Sequence, residues 1–124
     1  MFNKIQSSKD IQFFLEKTNY LHDGYLVDVR YSHNGISKIE NGHYFEPDKT
    51  KLTLTILVTS IWDAVVELEF ESLAEWQIKE SQRDITNTSV VFDDNNQIVW
   101  SVDMDETKNG SYVVASSMKW RIVE

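Results

Sequence analysis

No cysteine occurs in the chain, which excludes disulfide staples, thiolate nucleophiles and cysteine zinc sites and suits a reducing compartment. Four glycines and one proline, Pro47, leave little material for a glycine-rich loop that cradles phosphate. No Gly-x-Ser-x-Gly, Gly-x-Gly-x-x-Gly, Walker A or His-Glu-x-x-His sequence is present. No apolar run approaches the roughly 18 residues of a membrane helix. The start, Met1-Phe2-Asn3-Lys4-Ile5, has neither the basic nor the apolar stretch of a signal peptide, so a cytoplasmic location is expected. Basic residues are scarce. Twelve Lys+Arg against 20 Asp+Glu give a formal charge of −8, a field that opposes nucleic acid and anionic lipid and favours a basic protein partner. The plainer use of such acidity is solubility.

What the chain does contain suits a single domain over 1–124, a length able to bury a core without staples. Ser7 or Ser8 opens a segment with Asp10 shortly after it. Ile11, Phe14 and Leu15 then recur at helical spacing, which predicts an amphipathic helix ending near Thr18. Asn19 to Gly24 is rich in residues that stop helices. From Tyr25 the period becomes two, and Tyr25, Val27, Val29 and Tyr31 are expected on the buried face of a first strand. Two Asn-Gly dipeptides and Pro47 mark residues 34–51 as a hairpin-like excursion.

The strongest pattern is a hairpin of 52–59 with 63–71. Pairing Leu52 with Phe70, Leu54 with Leu68, Ile56 with Val66 and Val58 with Ala64 matches every apolar position. It also sets Thr53 and Thr55 against Glu69 and Glu67 on the other face. Leu73 to Lys79 reads as a further extended segment, joined through a bulge, with helix as the alternative. Residues 84–92 and 98–104 form the next pair, and 112–123 the last strand. A three-residue loop, Asn109-Gly110-Ser111, would pair Trp100 with Trp120, Val102 with Met118 and Ile98 with Ile122. The expected fold class is α+β: an N-terminal helix on a mainly antiparallel β-meander of six to seven strands, sheet or sandwich.

Few residues suggest chemistry. His22 and Asp23 adjoin where the helix meets the first strand, the pairing of an acid–base or metal site, although Asp23 and Asn19 serve equally as turn formers with His22 over the helix end. His33 and His43 show no ligand spacing. Glu67, Glu69 and Glu71 share one strand face and read as a solvated surface rather than paired catalytic carboxylates. Asp103 to Lys108 begins like a calcium loop but has Lys108 where glycine is required and Val114 in place of the closing glutamate. Neither a metal nor a cofactor is expected. Trp62 falls in the hairpin loop, and Leu57 faces Val65 on the otherwise polar side. Leu57, Ile61, Trp62 and Val65 are therefore either a protein-contact patch or covered by the helix or the 34–50 excursion.

The run Tyr20-Leu21-His22-Asp23-Gly24-Tyr25-Leu26-Val27, with the Leu52–Ile56 and Val66–Phe70 strands, resembles small bacterial proteins that share a Leu/Phe-His-Asp-Gly/Ser start to a β-rich domain. Some of these are grouped with immunity proteins of polymorphic toxin systems. The resemblance spans residues 15–80 and implies an α+β fold and protein binding rather than catalysis, with no functional residues carried over. The expectation is a non-enzymatic protein-binding domain. The alternatives are a small-ligand-binding or hydrolytic domain using His22 and Asp23, or a homodimer through the Leu57–Val65 face.

Overall fold

The computed structural model describes residues 1–46, 49–102 and 110–123. Its strands are β1 (Asn3–Lys4), β2 (Gly24–His33), β3 (Ile36–Ile39), β4 (Gly42–Phe45), β5 (Thr50–Val58), β6 (Ala64–Gln77), β7 (Asp84–Ile85), β8 (Thr88–Phe92), β9 (Ile98–Val102) and β10 (Ser111–Val123), with one helix, α1 (Ser8–Lys17). The main sheet runs β7-β2-β5-β6-β10-β9-β8, with β1 added on β10, and bends until it is nearly a barrel. β3 and β4 form a separate two-stranded arm. The fold class is the α+β arrangement expected, a helix on a mainly antiparallel sheet. Among the described residues no helix is long and apolar enough to cross a membrane.

The helix is defined at both ends by side chains. Ser7 Oγ accepts from Asp10 N at 3.4 Å and Asp10 Oδ2 accepts from Gln6 N at 2.9 Å, which satisfies amides that a helix start leaves unpaired. Thr18 Oγ1 donates to Phe14 O at 2.8 Å. Phe14 and Leu15 point inward, and the Phe13 and Phe14 rings lie 5.9 and 5.3 Å from Trp120. That contact packs the helix on the sheet.

The β5–β6 hairpin has the expected register at every pair: Leu52 to Phe70, Leu54 to Leu68, Ile56 to Val66, Val58 to Ala64, with Thr53 and Thr55 opposite Glu69 and Glu67. Its apolar row is the centre of the core. The carboxylate face is the solvated surface expected at Glu71, which is half-exposed, but not at Glu69. Glu69 is only 6% exposed, because β10 packs along the other side of β6 and brings cations across. Glu69 Oε1 lies 2.7 Å from Lys51 Nζ and 3.7 Å from Lys119 Nζ. Arg121 Nη2 meets Glu67 at 2.8 Å, and Phe2 lies over Lys119 and Arg121.

Two expected patterns are overturned. Trp100 pairs with Val113, not Trp120, and Trp120 lies between Leu68 and Asn3. The β6–β10 register shifts between Val114 and Ala115, and along β10 the inward residues are Val113 and Ala115 and then, past the exposed pair Ser116 and Ser117, Met118 and Trp120. A single alternation along 112–123 assumes a parity that the strand does not keep. The three-residue loop is also overturned, because Ser111 already belongs to β10 and pairs with Val102; Asn109, with the Asp103–Lys108 segment, lies outside the described residues.

The second correction concerns β2. Tyr25, Val27, Val29 and Tyr31 are exposed rather than buried. β2 pairs with β5 on one side, but β7 covers only Gly24 and Tyr25 on the other. A bulge at Val27 also changes the phase, so Tyr25 faces outward with Leu57 while Val29 and Tyr31 share the face of Leu54 and Leu52 at an open margin. Alternation reports a two-faced strand but not whether a neighbour covers either face.

Candidate functional site

Two turns meet at the end of the sheet where β2 starts and β5 ends. After Thr18 the chain makes a single 3-10 turn over Asn19–Leu21, and Asn19, Tyr20, Leu21 and Asp23 all have positive φ. Opposite it, the turn Thr59–Ile61 ends on Trp62 in the left-handed conformation (φ 61°, ψ 41°), and Asp63 follows at φ 57°. Such backbone is costly for residues with a large side chain and persists only where surrounding bonds enforce it. Here the bonds run between the turns. Asn19 Nδ2 donates to Ser60 Oγ at 3.1 Å, Ser60 Oγ donates to His22 O at 2.5 Å, and Thr59 N and Oγ1 donate to Asp23 O at 3.3 and 3.0 Å.

Gly24 is required by this junction. A Cβ there would stand 2.6 Å from Leu21 O and 3.0 Å from Ile56 Cγ2. Gly24→Ala is expected to cost about 1–3 kcal/mol by overpacking, measured as a lower urea midpoint; an unchanged midpoint would show that the junction yields freely.

The structure distributes the predicted contact residues unevenly. Leu57 and Val65 are direct cross-strand partners, half-buried on the outer face. Ile61 packs against the core. Trp62 is 96% exposed, so neither the helix nor the 34–50 excursion covers it. Asp63 follows it in the chain, Asp23 lies in the facing turn and Asp84 lines the adjoining cleft with Asp23 and Thr59, and among the described residues none of the three pairs with a lysine or arginine.

His22 and Asp23 lie together at the same end, both side chains about half-exposed or more, with His22 Nε2 3.7 Å from Asp23 Oδ2. His22 Nδ1 lies 2.7 Å from Thr86 O. A carbonyl only accepts, so Nδ1 carries a hydrogen and ties the helix-to-β2 turn to the β7–β8 connection. Asp23 lines a shallow cleft of about 440 Å³ with Gly24, Thr59, Asp84 and Thr86. Among the described residues no group of three or more His, Cys, Asp or Glu side chains is placed to hold a metal ion.

The sequence reading missed a second exposed region. Val27 is 53%, Val29 39% and Tyr31 49% exposed, Tyr31 stacks on Trp76 with centroids 5.9 Å apart, and a groove of about 420 Å³ runs between Tyr25–Val29 and Ile78–Arg83. The adjoining arm exposes Ile36, Ile39, Tyr44 and Phe45. Four large apolar residues in a segment assigned to turns were the available signal. Comparison of the chain with protein-family models, with curated proteins and with solved structures gives no match.

Proposed function

We propose that this chain is a non-enzymatic protein-binding domain, cytoplasmic and immunity-like in its mode of action, that receives a basic segment of its partner on the Trp62 end. The exposure of Trp62 carries the reading. A tryptophan held in left-handed backbone, at the junction of two cross-bonded turns, contributes nothing to the core, yet it presents a rigid apolar surface of the kind enriched at the centres of interfaces. Asp23 and Asp63 in the two turns and Asp84 in the adjoining cleft, within a chain of net charge −8, would speed encounter with a cationic surface and repel acidic competitors.

Trp62→Ala should therefore leave stability within about 0.5 kcal/mol of the parent, as expected for a fully exposed side chain. The same substitution should weaken partner binding by about 30-fold or more. Affinity capture from the native host with parent and variant as paired baits tests this. A basic protein retained by the parent, released by added salt and lost from the variant is the expected result. Equal retention by the two baits would remove Trp62 from the interface.

A further inference from the structure

We propose that two copies of this chain associate along the free edge of β2, antiparallel about a two-fold axis at Val29. This goes beyond the Trp62 reading and uses a different surface. On one side β2 is paired with β5 from Gly24 to His33. On the other it meets only β7, at Gly24 and Tyr25, and Arg83 O, which accepts from Leu26 N at 2.9 Å. From Val27 to His33 the edge has no neighbouring strand among the described residues. A strand edge of this kind is a template for another strand, and proteins that avoid such pairing usually place proline or lysine there. This edge has neither; its only such devices are the bulge at Val27, where regular pairing to β5 is interrupted, and the opposite charges of Asp28 and Arg30, and it exposes Val27, Val29 and Tyr31.

The charges select both the occupant and the register. Asp28 and Arg30 share the outer face and lie 3.5 Å apart, both well exposed. In an antiparallel pair centred on Val29, Asp28 of each copy stands opposite Arg30 of the other, twice by symmetry. Moving the axis to Asp28 sets two aspartates against each other, and moving it to Arg30 sets two arginines against each other; like charges directly opposite are unfavourable. A shift that places the axis between residues pairs the inner face of one copy with the outer face of the other. With the axis at Val29, Val29 meets itself and Tyr31 of the second copy meets Val27, which lines the groove beside Ile78. The strand is thus complementary to itself in charge and in apolar contact, as an interface between identical copies requires.

Sedimentation velocity on the full chain, from micromolar to millimolar, tests the proposal. The parent should dimerise. Asp28→Arg alone and Arg30→Asp alone should each weaken the dimer by about tenfold or more, and the double reversal should restore it, with far-ultraviolet circular dichroism showing the fold retained. Trp62→Ala should leave dimerisation unchanged, which separates this proposal from the partner-binding surface. A parent monomeric throughout the range would overturn it. So would a dimer indifferent to both single reversals, or one lost instead on Leu57→Lys.

Discussion

Trp100→Ala is expected to destabilise the protein by about 3–5 kcal/mol, the cost of truncating a large buried aromatic whose surroundings relax only in part. Trp100 is almost wholly buried and its ring lies 5.9 Å from that of Phe70, at the point where β9 folds over the β5–β6 hairpin. The loss is comparable with the whole stability of a weakly stable domain, which begins at about 5 kcal/mol. Thermal unfolding should shift down by roughly 10–20 °C for a chain of this size. Trp100→Phe should behave differently. Trp100 Nε1 is buried with no hydrogen-bond acceptor in reach among the described residues, and leaving such a donor unpaired costs about 1–3 kcal/mol. Phenylalanine removes that donor while leaving a smaller void, so its net cost should be about 1 kcal/mol or less. Urea denaturation of the two variants in parallel decides this, and equal losses would mean that the indole N–H is satisfied in solution.

The second large effect is expected where charge is buried without surrounding protein to spare it. Lys51→Met combined with Lys119→Met strands the Glu69 carboxylate, which is 6% exposed, with neither of its cations. Removing the partners of a buried charge costs about 3–5 kcal/mol. Both lysines are partly exposed, and solvent screening lowers the expected figure to about 2 kcal/mol. Adding Glu69→Leu to the same chain should recover most of the loss, because an apolar residue replaces the unpaired charge. Urea midpoints at constant slope measure both steps. If the double variant is as stable as the parent, the carboxylate reaches water or another cation.

The same ladder sets a pH dependence. The hydrogen bond to Glu69 holds the Lys51 ammonium above the ordinary lysine value, burial opposes it, and the charges of Glu69 and Glu71 add to the upward shift. A folded-state value above the unfolded one means that the stabilisation is fully present below the ordinary lysine range. It is lost only as pH rises through the raised value. Stability measured from neutral to strongly alkaline pH should fall at the alkaline end in the parent, with a shallower fall in Lys51→Met.

Much of the fold is visible in the order of residues along the chain. Ser7, Asp10 and Thr18 define the helix through bonds to nearby backbone, and Leu52–Val58 against Ala64–Phe70 has one register that sets every apolar position opposite another. These features depend on neighbours in sequence and on two-fold alternation, and both act locally. The tip of that hairpin is equally visible as a loop containing a tryptophan. Its exposure is not, because whether Trp62 meets solvent depends on where the helix and the β3–β4 arm are placed.

The tertiary structure decided the rest. The inward face of β10 changes parity at Ser116–Ser117, and the β9–β10 register sets Trp100 against Val113 rather than Trp120, neither of which alternation within one strand encodes. β5 and β10 flank β6 and, through Lys51 and Lys119, turn Glu69 from a surface carboxylate into a buried, doubly paired one. β7 covers only the first two residues of β2, which leaves Val27, Val29 and Tyr31 exposed where the pattern implied burial. The chain by itself determined an acidic, cysteine-free domain with one helix and a well-registered central hairpin. Which strand lies beside which, and therefore which apolar residues remain free to meet a partner, is set by contacts between residues far apart in sequence, where local periodicity carries no information.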